Sequence, residues 1–315
     1  MSTVLVTGGA GFLGSHICEK LLMKDYTVLC LDNLSSGNMN NIANCMKDKK
    51  FVFIKADANT SDLENVFRKN EIDFVFHYSF TMGNKINVEE PVRVLNDVKG
   101  IQNVFDLSRK YDVKKIVYAS SSEVYGEPVK LPDKEDEVVN PKVPYAVIKL
   151  LGEKFVETYF EQYNLKACAL RIFNTYGPRQ VTTSTYSFVV GNFIQQVFSD
   201  KQPTVLGDGN QTRDFLYIDD NIEATMRAFE FDSTNGQVIN IAKGERITIN
   251  ELANKIINLC GKNLTPTYLP FRKHEIIHRV ADVSKMKKLL KFEPRINLEE
   301  GLKKTIDWYK KNLKS

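Results

Sequence analysis

STVLVTGGAGFLGSH, Ser2–His16, is a short apolar run that ends in a cluster of glycines and continues into a helical pattern. The run STVLVTG does not alternate polar with apolar residues, so it reads as a strand buried on both faces. Gly8, Gly11 and Gly14 follow with GxxGxxG spacing. Glycines there permit a tight turn and close approach of a pyrophosphate, whose charge a helix N-terminus favours. The loop is a candidate dinucleotide site, and Phe12 and Leu13 at the helix start are among its expected contacts.

The same strand signature recurs in YTVLCLD (Tyr26–Asp32), FVFIKAD (Phe51–Asp57), DFVFHY (Asp73–Tyr78), KKIVYAS (Lys114–Ser120) and KACALRIF (Lys166–Phe173). Between these runs, Phe12–Met23, Asp62–Lys69, Pro91–Tyr111 and Tyr145–Tyr163 carry apolar residues at helical spacing. Strand and helix alternating in this way predict an α/β fold with a doubly wound parallel sheet of the Rossmann kind. After about residue 175 the pattern loosens into short elements, including GQVINIA, TINELANKIINLC and a last helix near Leu298–Asn312. The expected division is a dinucleotide domain over 1–175 and a smaller α/β substrate region over 176–315, with some exchange of elements.

The second strand ends in Asp32, where an acid can bind both hydroxyls of an adenosine ribose. Asn33 and Leu34 follow it, with no arginine to receive a 2′-phosphate, so NAD is favoured over NADP. Asp57, ending the third strand and followed by Ala58, falls near the adenine in that arrangement; it reads almost as well as a plain loop acid.

Net charge is +4, dispersed over helices rather than gathered in a block. That balance slightly favours anionic small molecules and gives little support to nucleic-acid binding. The five cysteines are scattered without a CxxC, as expected of buried thiols in a reducing compartment. No apolar run approaches the length of a membrane span and no cleavable leader is visible, so a cytoplasmic location is expected. His16, His274 and His278 have no metal-like spacing, and His77 at a strand end reads as a packing or hydrogen-bonding residue. No metal is expected.

Further along stands PYAVIK, with Tyr145 and Lys149 one helical turn apart and so on one helix face. An ammonium beside a phenol stabilises phenolate and makes tyrosine a usable base near neutrality. Alone, the spacing is common. Here the serine-rich strand end Ser120–Ser122, within ASSSEVYG, precedes it.

With TGGAGFLGSH, LDNLSSG, SSSEVYG, PYAVIK, RIFNTYGPR, GDGNQTRDFLYIDD and ADVSK in order, the whole chain resembles the extended short-chain dehydrogenase/reductases that act on nucleotide-diphosphate sugars, the UDP-glucose 4-epimerase-like group included. The resemblance implies Tyr145 as catalytic base, with Lys149 lowering its pKa and holding the nicotinamide ribose. It implies that Ser121 hydrogen-bonds the sugar 4-hydroxyl, with Ser122 beside it at the substrate. Asn174, Arg213 and Arg272 correspond to residues that contact the diphosphate. Arg279 falls near a substrate-contacting position, with a surface arginine as the alternative. The resemblance further implies a homodimer joined through the helices at Pro91–Tyr111 and Tyr145–Tyr163.

Phe80, where the family carries a small residue, and Asp97, where it commonly carries Asn, depart from the pattern. Glu123 leaves the reaction open. A Ser-Glu pair before Val-Tyr-Gly is familiar in the family's 4,6-dehydratases and decarboxylases, whereas LDNLSSG and the Arg272–Asp282 region read more like 4-epimerases. A carboxylate that merely bonds nearby backbone is a third reading. A catalytically silent NAD-binding regulator is a further alternative, opposed by the intact Ser121, Tyr145 and Lys149.

Overall fold

Val4, Leu5 and Val6 are all fully buried, so consecutive side chains of the first strand are covered on opposite faces, as its unalternating pattern requires. The computed structural model describes residues 2–81, 83–180, 188–271 and 276–312. In chain order the first half holds β1 (Thr3–Thr7), α1 (Phe12–Met23), β2 (Thr27–Asp32), β3 (Phe51–Lys55), α2 (Asp62–Lys69) and β4 (Phe74–His77). Next come α3 (Asn84–Glu89), α4 (Pro91–Leu95), α5 (Asp97–Lys110), β5 (Lys115–Ser121), α6 (Pro144–Tyr163) and β6 (Ala167–Ile172). The second half begins with β7 (Asn174–Tyr176), α7 (Val189–Phe198), β8 (Thr204–Leu206), β9 (Thr212–Arg213), β10 (Phe215–Tyr217) and α8 (Ile218–Glu230). It ends with β11 (Gln237–Ile241), β12 (Ile247–Thr248), α9 (Ile249–Leu259), β13 (Thr267–Leu269), α10 (Ser284–Leu290) and α11 (Leu298–Asn312).

Seven parallel strands form the central sheet in the order β11-β6-β5-β4-β1-β2-β3. The chain winds outward one way from β1 to β3 and the other way from β4 to β6. The order therefore reverses between β1 and β4, which opens a crevice at the carboxyl ends of those strands. Helices α2, α5 and α6 cover one face through Leu63, Val104, Ile148 and Val156. The other face packs on α1 and α8 through Ile17, Leu21 and Ile222, and the same apolar cluster continues into α9 and α11 through Ile256 and Leu302. The seventh strand, β11, comes from beyond residue 176 and pairs with β6, so the sheet draws on both halves of the chain.

The single helix expected over Pro91–Tyr111 is two, α4 and α5, meeting at Asn96. Asn96 keeps helical angles (φ −61°, ψ −22°), but Lys99 N–H reaches back three residues to the Asn96 carbonyl, which tightens the turn. Asp97 is thereby turned inward and is 4% exposed. Cys18, Cys30, Cys45 and Cys168 are buried free thiols and Cys260 is partly buried. No helix among the described residues is long and apolar enough to cross a membrane.

Candidate active site

Gly8, just after β1, has φ +70°, and a Cβ there would lie 2.6 Å from the carbonyl of Tyr78, just after β4. The glycine loop is thus pressed against the switch point. A Cβ on Gly14 would meet the Gly8 carbonyl at 2.1 Å, so the first turn of α1 packs directly on the loop. Gly11, which precedes helix α1, supplies no side-chain cap. The first N–H groups of the helix therefore remain available to an anion held over the loop, beside the partly buried Gly11, Phe12 and Leu13.

Asp32 is 6% exposed and accepts from Ala10 N–H at 3.0 Å and Leu34 N–H at 2.7 Å. Burial pushes its carboxyl up, and the two N–H groups pull it back. A Cβ on Gly37 would come within 2.6 Å of this carboxylate, so the following loop passes close over it. Asn33 donates to Asp57 at 2.9 Å, and Asp57 in turn accepts from Asn59 N–H at 2.8 Å. Ala58 is buried behind them. The glycine cradle, the uncapped helix and the acid at the end of β2 are the parts a dinucleotide requires, and NAD fits them.

On the other side of the switch point, β5 delivers Ser120 and Ser121, and a 3-10 turn over Ser122–Tyr125 carries Glu123. Helix α6 starts at Pro144 and places Tyr145, Lys149 and Glu153 at i, i+4 and i+8 on one face. Glu153 anchors this face from below. It is 1% exposed, holds Arg171 of β6 through bonds of 2.9 and 2.8 Å, and also accepts the Ser120 hydroxyl. This buried pair was not read from the sequence; Arg171 within the strand run ACALRI is the signal that could have found it.

The Ser121 hydroxyl is close enough to the Tyr145 phenol to influence it. Burial pushes that phenol well above the ordinary tyrosine range, the Glu123 carboxylate raises it further, and Ser121 draws it down. Lys149, 2% exposed, donates to the Ala119 carbonyl, and its ammonium stands 5.2 Å from the centroid of the Tyr145 ring. Burial holds the Lys149 ammonium well below its usual range, and Asp97 and Glu153 oppose that. Phe80 lies 2.9 Å from the same ammonium to its ring centroid, so the bulky residue packs on the lysine. Asp97 accepts from Thr81 N–H at 2.5 Å and from Asn59 at 3.0 Å.

Glu123 accepts from Arg279 at 3.0 Å, and its N–H donates to Ser121 Oγ at 3.2 Å. Arg279 is 2% exposed, which overturns the surface-arginine alternative. Pairing of β7 with β10 sets Asn174 opposite Phe215, two residues beyond Arg213. Arg213 itself donates to the carbonyls of Thr212 at 3.0 Å and Ile277 at 3.3 Å. Arg272, His274 and residues 181–187 lie outside the described residues.

His77 Nδ1 is 2.8 Å from Thr7 Oγ1, and His16 Nε2 is 3.1 Å from the Pro178 carbonyl, both packing roles. No cluster of three metal-ligating groups occurs among the described residues.

Residues 4–242 match the NAD dependent epimerase/dehydratase family. A Methanocaldococcus jannaschii protein that carries a provisional UDP-glucose 4-epimerase name is 37% identical over 98% of this chain and 99% of its own. A UDP-N-acetyl-alpha-D-glucosaminuronate decarboxylase of Bacillus cytotoxicus is 33% identical over 97% of each chain. The solved UDP-glucose 4-epimerase of Thermotoga maritima, with UDP-glucose, superposes with a TM-score of 0.93 at 34% identity and covers 99% of both chains. A match over most of the chain, on a sheet whose switch point carries a dinucleotide cradle, shows that this protein belongs to the NAD dependent epimerase/dehydratase family of nucleotide-sugar enzymes and has NAD as its cofactor.

Proposed function

We propose that the protein is a nucleotide-diphosphate-sugar 4-epimerase working through a transient 4-keto sugar. NAD, held by the Gly8–Leu13 loop with Asp32, Asn33, Asp57 and Ala58 at its adenosine end, supplies the hydride acceptor and donor. Tyr145 takes the proton of the sugar 4-hydroxyl, which Ser121 orients and Ser122 flanks. Lys149 holds the cofactor ribose. Asn174, Arg213 and Arg272 bind the diphosphate, for which the planar arginine fork is suited.

The observation that carries this reading is the engagement of Glu123 by Arg279. Epimerisation returns hydride to the other face of the keto sugar and needs no second base. A dehydratase needs a free base at C5, and this carboxylate is already paired. Two observations favour decarboxylation or 4,6-dehydration as a second reading: the Glu123 side chain is 44% exposed, and its charge is felt at Tyr145. Arg279 then serves the substrate by holding that acid.

Incubation with UDP-, GDP- and dTDP-sugars, followed by product mass, separates the two. Unchanged mass with altered retention time is the expected result; loss of water or carbon dioxide transfers the protein to the second reading. The proposal includes a cytoplasmic homodimer seamed by α5 and α6, where Leu151, Phe155 and Tyr159 line a surface groove of about 260 Å³. Light scattering showing a monomer would remove that part.

A further inference from the structure

Behind Glu123 and Arg279 lies a second carboxylate that the reaction above does not use. Asp133 is 1% exposed, and neither of its carboxylate oxygens has a hydrogen-bond partner among the described residues. Arg279 gives one nitrogen to Glu123 and another to the Gly126 carbonyl at 2.8 Å, while its buried Nε–H has no partner either. A buried acceptor and a buried charged donor, each unmatched alone, are both unfavourable.

Backbone pairing sets Asp133 beside the segment that carries Arg279, although the two side chains form no ion pair within 4 Å. Asp133 N–H donates to the Val280 carbonyl at 2.8 Å, and Asp282 N–H donates to the Asp133 carbonyl at 2.9 Å. Asp133 and Ala281 thus form a parallel bridge. Side chains alternate along an extended segment, so Asp133, Ala281 and Arg279 project to the same face. Asn240 of β11 fixes the Asp133 backbone from the other side, donating to its carbonyl at 3.0 Å. The Asp133 carboxyl is pushed up to about 6 by burial, against the pull of Arg279; Glu137 raises it and Arg171 lowers it.

We propose that Asp133 is a positioning residue of the active site: its carboxylate is the rear counter-ion of Arg279 and so fixes how Arg279 holds Glu123 beside Tyr145. One guanidinium is then shared between two carboxylates, and the charge of Glu123 is only partly cancelled. Neutralising Asp133 commits Arg279 more fully to Glu123. The negative field at Tyr145 weakens and phenolate forms at lower pH. The other charged groups facing Tyr145 and its neighbour Lys149, namely Asp97 and Glu153, are untouched by the change.

The inference rests on the active-site reading above. It is tested with Asp133→Asn made in the native chain and in an Arg279→Met background. Two readouts serve: the pH profile of nucleotide-sugar turnover with kcat and KM separated, and a double-mutant cycle in urea. In the native background the rising limb of the profile moves to lower pH by about half a unit and kcat changes several-fold, with KM within about twofold. In the Arg279→Met background, Asp133→Asn shifts neither the limb nor kcat, and the urea cycle is non-additive. An unmoved limb, an equal shift in both backgrounds or an additive cycle overturns the proposal. Should Arg279→Met not fold, Arg279→Lys replaces it, and the Asp133→Asn shift is then expected to shrink. A protein that turns over no nucleotide sugar refutes the proposed function, while the urea cycle still decides the Asp133–Arg279 coupling.

Discussion

Glu123 Oε1 lies 3.0 Å from Arg279 Nη1, across 156 residues of chain. One partner is nearly inaccessible and the other half-exposed, so this is a pocket-edge acid held by a buried cation. Glu123→Gln removes a negative charge beside Tyr145, and the sign follows directly: a nearby anion disfavours phenolate, so its loss lowers the phenol pKa. The rising limb of the activity profile is expected to move to lower pH. If the protein is an epimerase, turnover stays within about tenfold of native. A fall of about 100-fold or more in a stopped assay would instead assign Glu123 an acid–base role.

Tyr145→Phe keeps the ring in its packing but removes the phenol hydroxyl, the proton carrier of the proposed reaction. Turnover is expected to fall by roughly 10²–10⁴-fold, the range for loss of a general base. Binding of NAD, followed by fluorescence titration, should change by less than about threefold, since the uniform part of binding is untouched. Loss of both together would show that the phenol serves the fold or the cofactor rather than proton transfer.

Gly14→Ala tests the cofactor cradle. The added methyl meets a backbone carbonyl at 2.1 Å, and no side-chain rotation relieves that overlap. The loop must move away from α1, with an expected loss of about 1–3 kcal/mol in urea unfolding together with weakened NAD binding. An unchanged unfolding midpoint would mean that the loop and helix do not pack as described.

Acid should destabilise the protein partly through His16. Burial and the Arg179 guanidinium lower its folded pKa to about 4, from 6.5. A depressed folded pKa means that this contribution is complete above about pH 6.5 and is lost as pH falls toward 4. The linkage is at most roughly 3 kcal/mol. His77, lowered to about 3 by burial and Lys149, acts in the same direction. Urea midpoints at pH 7.5, 6 and 5 should fall less steeply for His16→Gln than for the native chain. Parallel slopes would remove His16 from the explanation.

Much of the site was legible because its parts are local. The glycine spacing after β1, Asp32 at the end of β2 and the i, i+4 pair Tyr145 and Lys149 are each set by neighbouring residues, and the structure places them around one crevice. The break at Asn96 was not legible, since it accompanies the inward turn of Asp97 toward Thr81 and Asn59. Glu153 and Arg171 were not read from the sequence: a charge within a mostly apolar strand points to a buried partner, but the sequence does not say which.

Periodicity, glycine spacing and strand-end acids determined the doubly wound fold and its dinucleotide cradle, because those depend on short-range backbone geometry and alternating burial. Only the tertiary structure decided that β11 completes the sheet, that Arg279 is buried, and that it joins Glu123. The Glu123–Arg279 pair alone spans 156 residues of chain. Its energy comes from desolvation and charge pairing in a shared interior, which no local pattern in the chain encodes.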